Sequence, residues 1–227
     1  MKNLFTLLEN ELAAGRDTMM VTVVAGSGSV PRGAGARMLV GAAGRLAGTI
    51  GGGAVEHRAE QLAMEALAQK QSCIRAFTLR RGEVEDLGMV CGGEVRVFIQ
   101  HIPATGENLA FAARVAASAD GGANAWLLCD ITSETAWQMA LYVEGGGLVA
   151  AGRAPGGEAA GLEQLDAEAL QKLLLSAPVQ RETAGGRLVY AEPVAFAARV
   201  LVFGGGACLP GAGAVTEPGG LPLRGVR

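Results

Sequence analysis

The chain has 227 residues, a formal net charge of -3 and 50% hydrophobic residues. That length gives one large domain, or one domain with a fragment of another, and the acidic balance excludes a general nucleic-acid binder, which needs a basic face. Glycine is abundant at 35 residues and aromatics are scarce at 4%, yet the glycines fall in short runs without a period, which excludes collagen-like and repeat folds. The N-terminal stretch Met1-Lys2-Asn3-Leu4-Phe5-Thr6-Leu7-Leu8 is too short and too soon polar for a signal peptide. No apolar run reaches the ~18 residues of a membrane-spanning helix. The expectation is a soluble, cytoplasmic protein with no membrane and no nucleic-acid partner. Cys73, Cys91, Cys129 and Cys208 form no C-x-x-C pair, so free thiols are expected rather than a structural zinc site.

In chain order, the first expected element is a helix over 3–14, with Leu4, Phe5, Leu8 and Leu12 on one face. A Val- and Met-rich strand follows at 18–25, then a loop at 26–35. Segments 37–40 and 45–49 pair as a hairpin around Ala42-Ala43-Gly44. After Gly51-Gly52-Gly53 a helix extends to about residue 69, its apolar face built from Val55, Ala59, Leu62, Ala63, Ala66 and Leu67. Strands are expected at 73–79 and 94–99, and a helix at 107–117. Further strands follow at 125–131 and 136–143. Segment 152–161 reads as a loop, and Asp166 caps a helix ending near residue 175. The last strands are placed at 179–182, 187–190 and 199–203. This alternation predicts an α/β or α+β fold, a mixed sheet flanked by helices, followed by the stub of a Rossmann domain.

Three glycine-rich segments carry the chemistry. In the first, Gly26-Ser27-Gly28-Ser29-Val30-Pro31-Arg32-Gly33-Ala34-Gly35-Ala36-Arg37, backbone N–H groups, serine hydroxyls and two arginines suit an anion. A plain surface turn with solvated arginines has the same composition. In the second, Gly51, Gly52 and Gly53 open a helix whose first N–H groups and dipole favour an anion, with Glu56 placed to cap the helix or meet a ligand amine. Close packing of helix on strand is the alternative there, and no Gly-Lys-Ser/Thr makes it a Walker A loop. The third is Gly88-Met89-Val90-Cys91-Gly92-Gly93, where glycines leave Cys91 open. As thiolate it can bind a soft metal or carry sulfur; read alone, it fits a small buried hydrophobe as well. His57 either faces the same pocket or lies at the solvent edge. No G-x-S-x-G elbow marks a nucleophilic serine.

Taken together, Gly28-Ser29-Val30-Pro31-Arg32 with Gly35-Ala36-Arg37-Met38-Leu39-Val40, Gly48-Thr49-Ile50-Gly51-Gly52-Gly53 with Glu56, and Gly88-Met89-Val90-Cys91-Gly92-Gly93 resemble the XdhC/CoxI family of accessory proteins for molybdenum hydroxylases. The resemblance is strong over about 1–100 and loose to about 206. It implies a protein that binds molybdenum cofactor (molybdopterin) as cargo, assists its sulfuration and inserts it into an apo-hydroxylase of the xanthine dehydrogenase type, without a complete active site of its own. It implies the hydroxylase and a cysteine desulfurase as partners, and a homodimer. The implied cofactor-binding residues are Gly28, Ser29, Pro31, Arg32, Gly35, Arg37, Gly51, Gly52, Gly53, Glu56, Met89, Cys91, Gly92 and Gly93, with Cys91 as the molybdenum or sulfur contact.

The family usually carries a C-terminal Rossmann domain, and Arg199-Val200-Leu201-Val202-Phe203-Gly204-Gly205-Gly206 looks like its first strand and turn. A full fingerprint needs a third Gly or Ala, where Leu209 stands, and a βαβ unit of about 30 residues. The division expected is 1–195 for the cofactor-handling domain, 196–206 for the truncated Rossmann start, and 207–227 for a disordered or aberrant tail that reads like out-of-frame translation. NAD(P) binding is therefore not expected, although an NAD(P)-binding oxidoreductase fragment, or an interaction module without cofactor, stands as the rival reading.

Overall fold

A computed structural model describes residues 1–78, 93–119, 123–155 and 161–195. The strand expected at 199–203, the Rossmann stub and the tail lie outside these residues, as do Met89, Cys91 and Gly92. The described elements run α1 (Lys2–Ala13), β1 (Thr18–Ser27), β2 (Arg37–Gly41), β3 (Gly44–Thr49), α2 (Gly53–Gln69), β4 (Cys73–Thr78), β5 (Glu94–Ile102), α3 (Gly106–Ser118), β6 (Ala125–Asp130), β7 (Gln138–Val143), β8 (Gly147–Arg153), α4 (Ala167–Leu173), β9 (Val179–Glu182) and β10 (Leu188–Ala195), with one 3-10 turn at Leu162–Gln164.

Helices and strands mix as the pattern requires, but the strands form two sheets, each antiparallel. Their orders are β3-β2-β1-β5-β4 and β8-β7-β6-β10-β9. These are one topology used twice. A helix leads each half (α1, α3), three meandering strands follow, a second helix intervenes (α2, α4), and two strands return beside the first of the three.

The two faces of each sheet explain the near-continuous apolar strands. On the first sheet, Met19, Val21, Val23, Met38, Val40, Val95, Val97 and Ile99 pack on α2 through Val55, Ala59 and Ala63. The alternate residues, Met20, Val24, Leu39, Phe98 and Ile102, enter the central core with Leu127, Met139, Leu141 and Tyr190 of the second sheet. There α1 and α3 meet, Phe5 standing edge-on to Phe111 with ring centroids 6.3 Å apart. The outer face of the second sheet, Trp126, Leu128, Ala140 and Val189, is closed by Leu162 and by Leu173 of α4.

Two differences from the sequence reading have local causes. Segment 147–153 is a strand although its Gly-Leu-Val-Ala-Ala-Gly-Arg composition is a weak strand former; antiparallel pairing with β7 makes it one, after a turn with Gly145 and Gly147 at φ +77° and +72°. Strand β10 runs past Pro193 to Ala195. It pairs with β9 only from Leu188 to Ala191, so the proline, which has no N–H, falls where that side of the ladder has ended. Asp166 does cap its helix, accepting from the Ala169 amide at 2.7 Å, although the helix stops at Leu173.

Candidate functional site

The loop between β1 and β2, the turn from β3 into α2 and the start of β5 meet at one end of the first sheet. Glycine makes this possible at two points. A Cβ on Gly51, which sits at φ +134°, would lie 2.8 Å from Pro31 Cβ, so the turn and the loop pack backbone against ring. A Cβ on Gly93 would fall on the carbonyl oxygens of Ser27 and Ser29. The structure thereby brings Ser29, Pro31 and Arg32 together with Gly51 and Gly93; Gly28, Gly52 and Gly53 adjoin them in sequence.

Arg32 is exposed and has no ion-pair partner among the described residues. It borders a cavity of about 240 Å3 with Gly35, Ala36, Arg37, Gly48 and Thr49. Arg37 has a different setting. It is buried at the start of β2, its Nε donates to Thr22 Oγ1 at 3.0 Å, and its Nη1 pairs with the Glu192 carboxylate. The Tyr190 hydroxyl donates to the other Glu192 oxygen at 2.8 Å. Burial alone would lower the Arg37 pKa, but Glu192 and its neighbours outweigh that and raise it, so the guanidinium stays charged. Its charge is met inside the fold, whereas that of Arg32 faces solvent.

The start of α2 is likewise occupied by the chain itself. Glu56 Oε2 accepts from the Ile50 amide at 3.0 Å, the Gly52 amide at 3.1 Å and the Thr49 hydroxyl, while Oε1 pairs with Arg45. Burial pushes the Glu56 carboxyl up, but the Thr49 hydroxyl, the Gly52 and Ile50 amides and Arg45 together hold it below its ordinary range. The internal carboxylate thus engages the turn that leads into α2, through the amides of Ile50 and Gly52 that precede its first residue, Gly53.

His57 is exposed on α2 beside Gln61. His101 is buried at the opposite end of the sheet, where its Nε2 lies 3.0 Å from Asp17. Cys129 is buried and its thiol is pushed up to about 12 by burial, so it packs rather than reacts. Among the described residues no group of three His, Cys, Asp or Glu side chains is placed to hold a metal ion. Nor is any described helix long and apolar enough to cross a membrane.

Glu192 and Tyr190 are the site neighbours that sequence reasoning missed. Strand periodicity in Val189-Tyr190-Ala191-Glu192 puts both on one face, which is a usable signal for a buried acid. It could not name Arg37 as the partner, 155 positions away.

The fold and this loop cluster define an α-and-β protein with two repeated sheets and a glycine-rich, cationic end on the first. Residues 11–78, which hold the first two glycine-rich segments, match the model of the XdhC and CoxI family. The resemblance carried by those motifs therefore stands over that stretch. The Escherichia coli K12 protein YqeB is 38% identical over 80 residues, covering 35% of this chain and 15% of YqeB. A crystal structure from Bacillus halodurans, described as a xanthine dehydrogenase, shares the fold with a TM-score of 0.53 and 17% identity, over 82% of this chain and 52% of that one. The chain thus spans about half of the solved relative, and the aligned part is a small fraction of YqeB.

Proposed function

We propose that this chain is an accessory factor that holds molybdenum cofactor as cargo, assists its sulfuration and passes it to a xanthine dehydrogenase-type apo-hydroxylase. The observation that carries the reading is the convergence of Gly51 and Gly93 on the loop that bears the exposed Arg32, which has no ion-pair partner among the described residues. The donor set suits the cofactor in kind: an exposed guanidinium and loop amides match a phosphate. Arg32, Gly28 and Ser29 would hold that phosphate, with Gly51 and Gly93 giving the loop its close backing. Arg37 and Glu56, both engaged internally, would shape the site rather than grip the ligand. Cys91, one residue before Gly92-Gly93, would meet the molybdenum or its sulfur ligand; the cofactor itself supplies the redox chemistry, used later in the client enzyme. The match of residues 11–78 to the XdhC and CoxI family supports the reading, and the relative described as a xanthine dehydrogenase agrees with a client of that class. A cysteine desulfurase partner, a homodimer and a cytoplasmic setting belong to the same proposal.

The test is mass spectrometry of material purified from a host that makes molybdenum cofactor. A bound pterin phosphate is expected, reduced about tenfold in Arg32→Ala through loss of one charge-assisted contact. Cys91→Ala should keep the pterin and lose transferable sulfur. An empty wild-type protein, correctly folded, would refute the proposal.

A further inference from the structure

We infer that Glu192 and Tyr190, from the second sheet, are positioning residues for the glycine-rich loop 28–36 of the first, and that the anion affinity of that loop depends on them. The second clause rests on the cofactor reading above; the first does not.

The loop has little conformational preference of its own. Gly28 and Gly35 sit at φ +67° and +94°, and Gly33 adds a third residue without a side chain, so the sequence by itself does not select one conformation. Two backbone bonds close its far end: the Gly35 amide donates to Val23 O at 2.9 Å, and the Val23 amide donates to Ala36 O at 2.9 Å. The next residue, Arg37, is anchored by Glu192, whose side chain is 2% exposed. The loop also rests on that carboxylate directly, because a Cβ at Gly35 would lie 2.8 Å from Glu192 Oε2. Tyr190 holds this same oxygen while Arg37 holds the other. A carboxylate fixed at both oxygens cannot rotate, and so gives Gly35 and Arg37 one position. Arg32, three residues upstream of Gly35, shares the cavity with both. The second sheet, which lies outside the family match at 11–78, therefore sets the shape of the loop inside it.

The test uses the full chain carrying Arg37→Met with Glu192→Met. Replacing a buried ion pair by apolar residues of similar volume commonly leaves stability near its starting value, so this variant separates loop position from folding. Thermal melting confirms the fold, hydrogen exchange reads the Gly35 and Ala36 amides, and calorimetry reads binding of pyrophosphate as the probe anion. The expected result is a cooperative melt, loop exchange faster by about tenfold, and pyrophosphate affinity lower by about tenfold. Unchanged loop exchange in the folded variant overturns the inference, and unchanged affinity with faster exchange overturns its second clause. If the wild-type chain binds no pyrophosphate while the variant exchanges faster, the positioning role stands and the cofactor reading falls. Tyr190→Phe keeps the ion pair and removes one hydroxyl, so it must move exchange in the same direction by a smaller factor even if the double variant fails to fold; no change there also overturns the inference.

Discussion

Removal of the Glu56 carboxylate should loosen the entry into α2 by a predictable amount. The side chain is 11% exposed and receives two backbone amides, from Ile50 and Gly52. Each amide left without its charged acceptor costs about 1–2 kcal/mol. The Arg45 pair adds little, because the Arg45 side chain is 41% exposed and such pairs contribute well under about 1 kcal/mol. Glu56→Ala should therefore lose about 3 kcal/mol, and Glu56→Gln, which keeps an acceptor oxygen, about 1 kcal/mol. For a chain of this size the alanine variant melts about 6–12 °C lower. The pH dependence gives the sharper check. The carboxyl titrates below its ordinary value of 4.5 in the folded chain, so its stabilisation is present in full above that value and is lost as pH falls through the lower folded one. The melting gap between wild type and Glu56→Gln should be open at neutral pH and should narrow as pH falls below 4.5 through the lowered folded value, because protonation makes the wild-type side chain a neutral acid. Calorimetric melts across that range decide it. A gap that persists unchanged into acid, or no gap at neutral pH, would refute the assignment of Glu56 as a charged cap.

Other expected outcomes follow from single contacts. Gly48→Ala places a methyl group on the Arg37 carbonyl at φ +81°, and should cost about 2 kcal/mol or more in urea unfolding. Phe111→Ala opens the contact with Phe5 in the central core and should cost about 3–5 kcal/mol; a midpoint loss below about 1 kcal/mol would mean the two helices do not share that core. Asp17 accepts from the Ala104 amide at 2.9 Å and faces His101. Burial raises its pKa, but these partners and Lys70 outweigh that and lower it, so Asp17→Asn should destabilise at neutral pH by about 1–2 kcal/mol and less in acid. Cys129 should resist iodoacetamide in the native chain at mildly alkaline pH and label on unfolding; rapid native labelling would contradict its burial.

Much of the fold was legible because apolar periodicity is a local property. Leu4, Phe5, Leu8 and Leu12 announced α1, and the face from Val55 to Leu67 announced α2. The strand β8 was not legible, since glycine and alanine become a strand there only by pairing with β7. The division into two sheets escaped for a related reason: strands buried on both faces lose the alternation that would have shown which core each residue enters. At the site, glycines predicted close approach, and Gly51 against Pro31 supplies it. Charge was harder to read. Arg32 and Arg37 are alike in sequence, and only a glutamate from the distant half separates the solvent-facing cation from the buried one.

The doubled topology has a consequence for assembly. The equivalent helices α1 and α3 pack on each other, as the matching surfaces of an isologous dimer do. One such unit standing alone would leave the inner face of its sheet bare and would close it most simply against a second copy. This chain is in that sense a dimer written as one polypeptide. The segment joining β5 to α3 replaces a dissociation constant with a fixed effective concentration, so the interior pairing of Arg37 with Glu192 does not depend on how much protein is present. The two halves nonetheless contribute different things: the first carries the glycine-rich loop, and the second supplies the acid that holds it still.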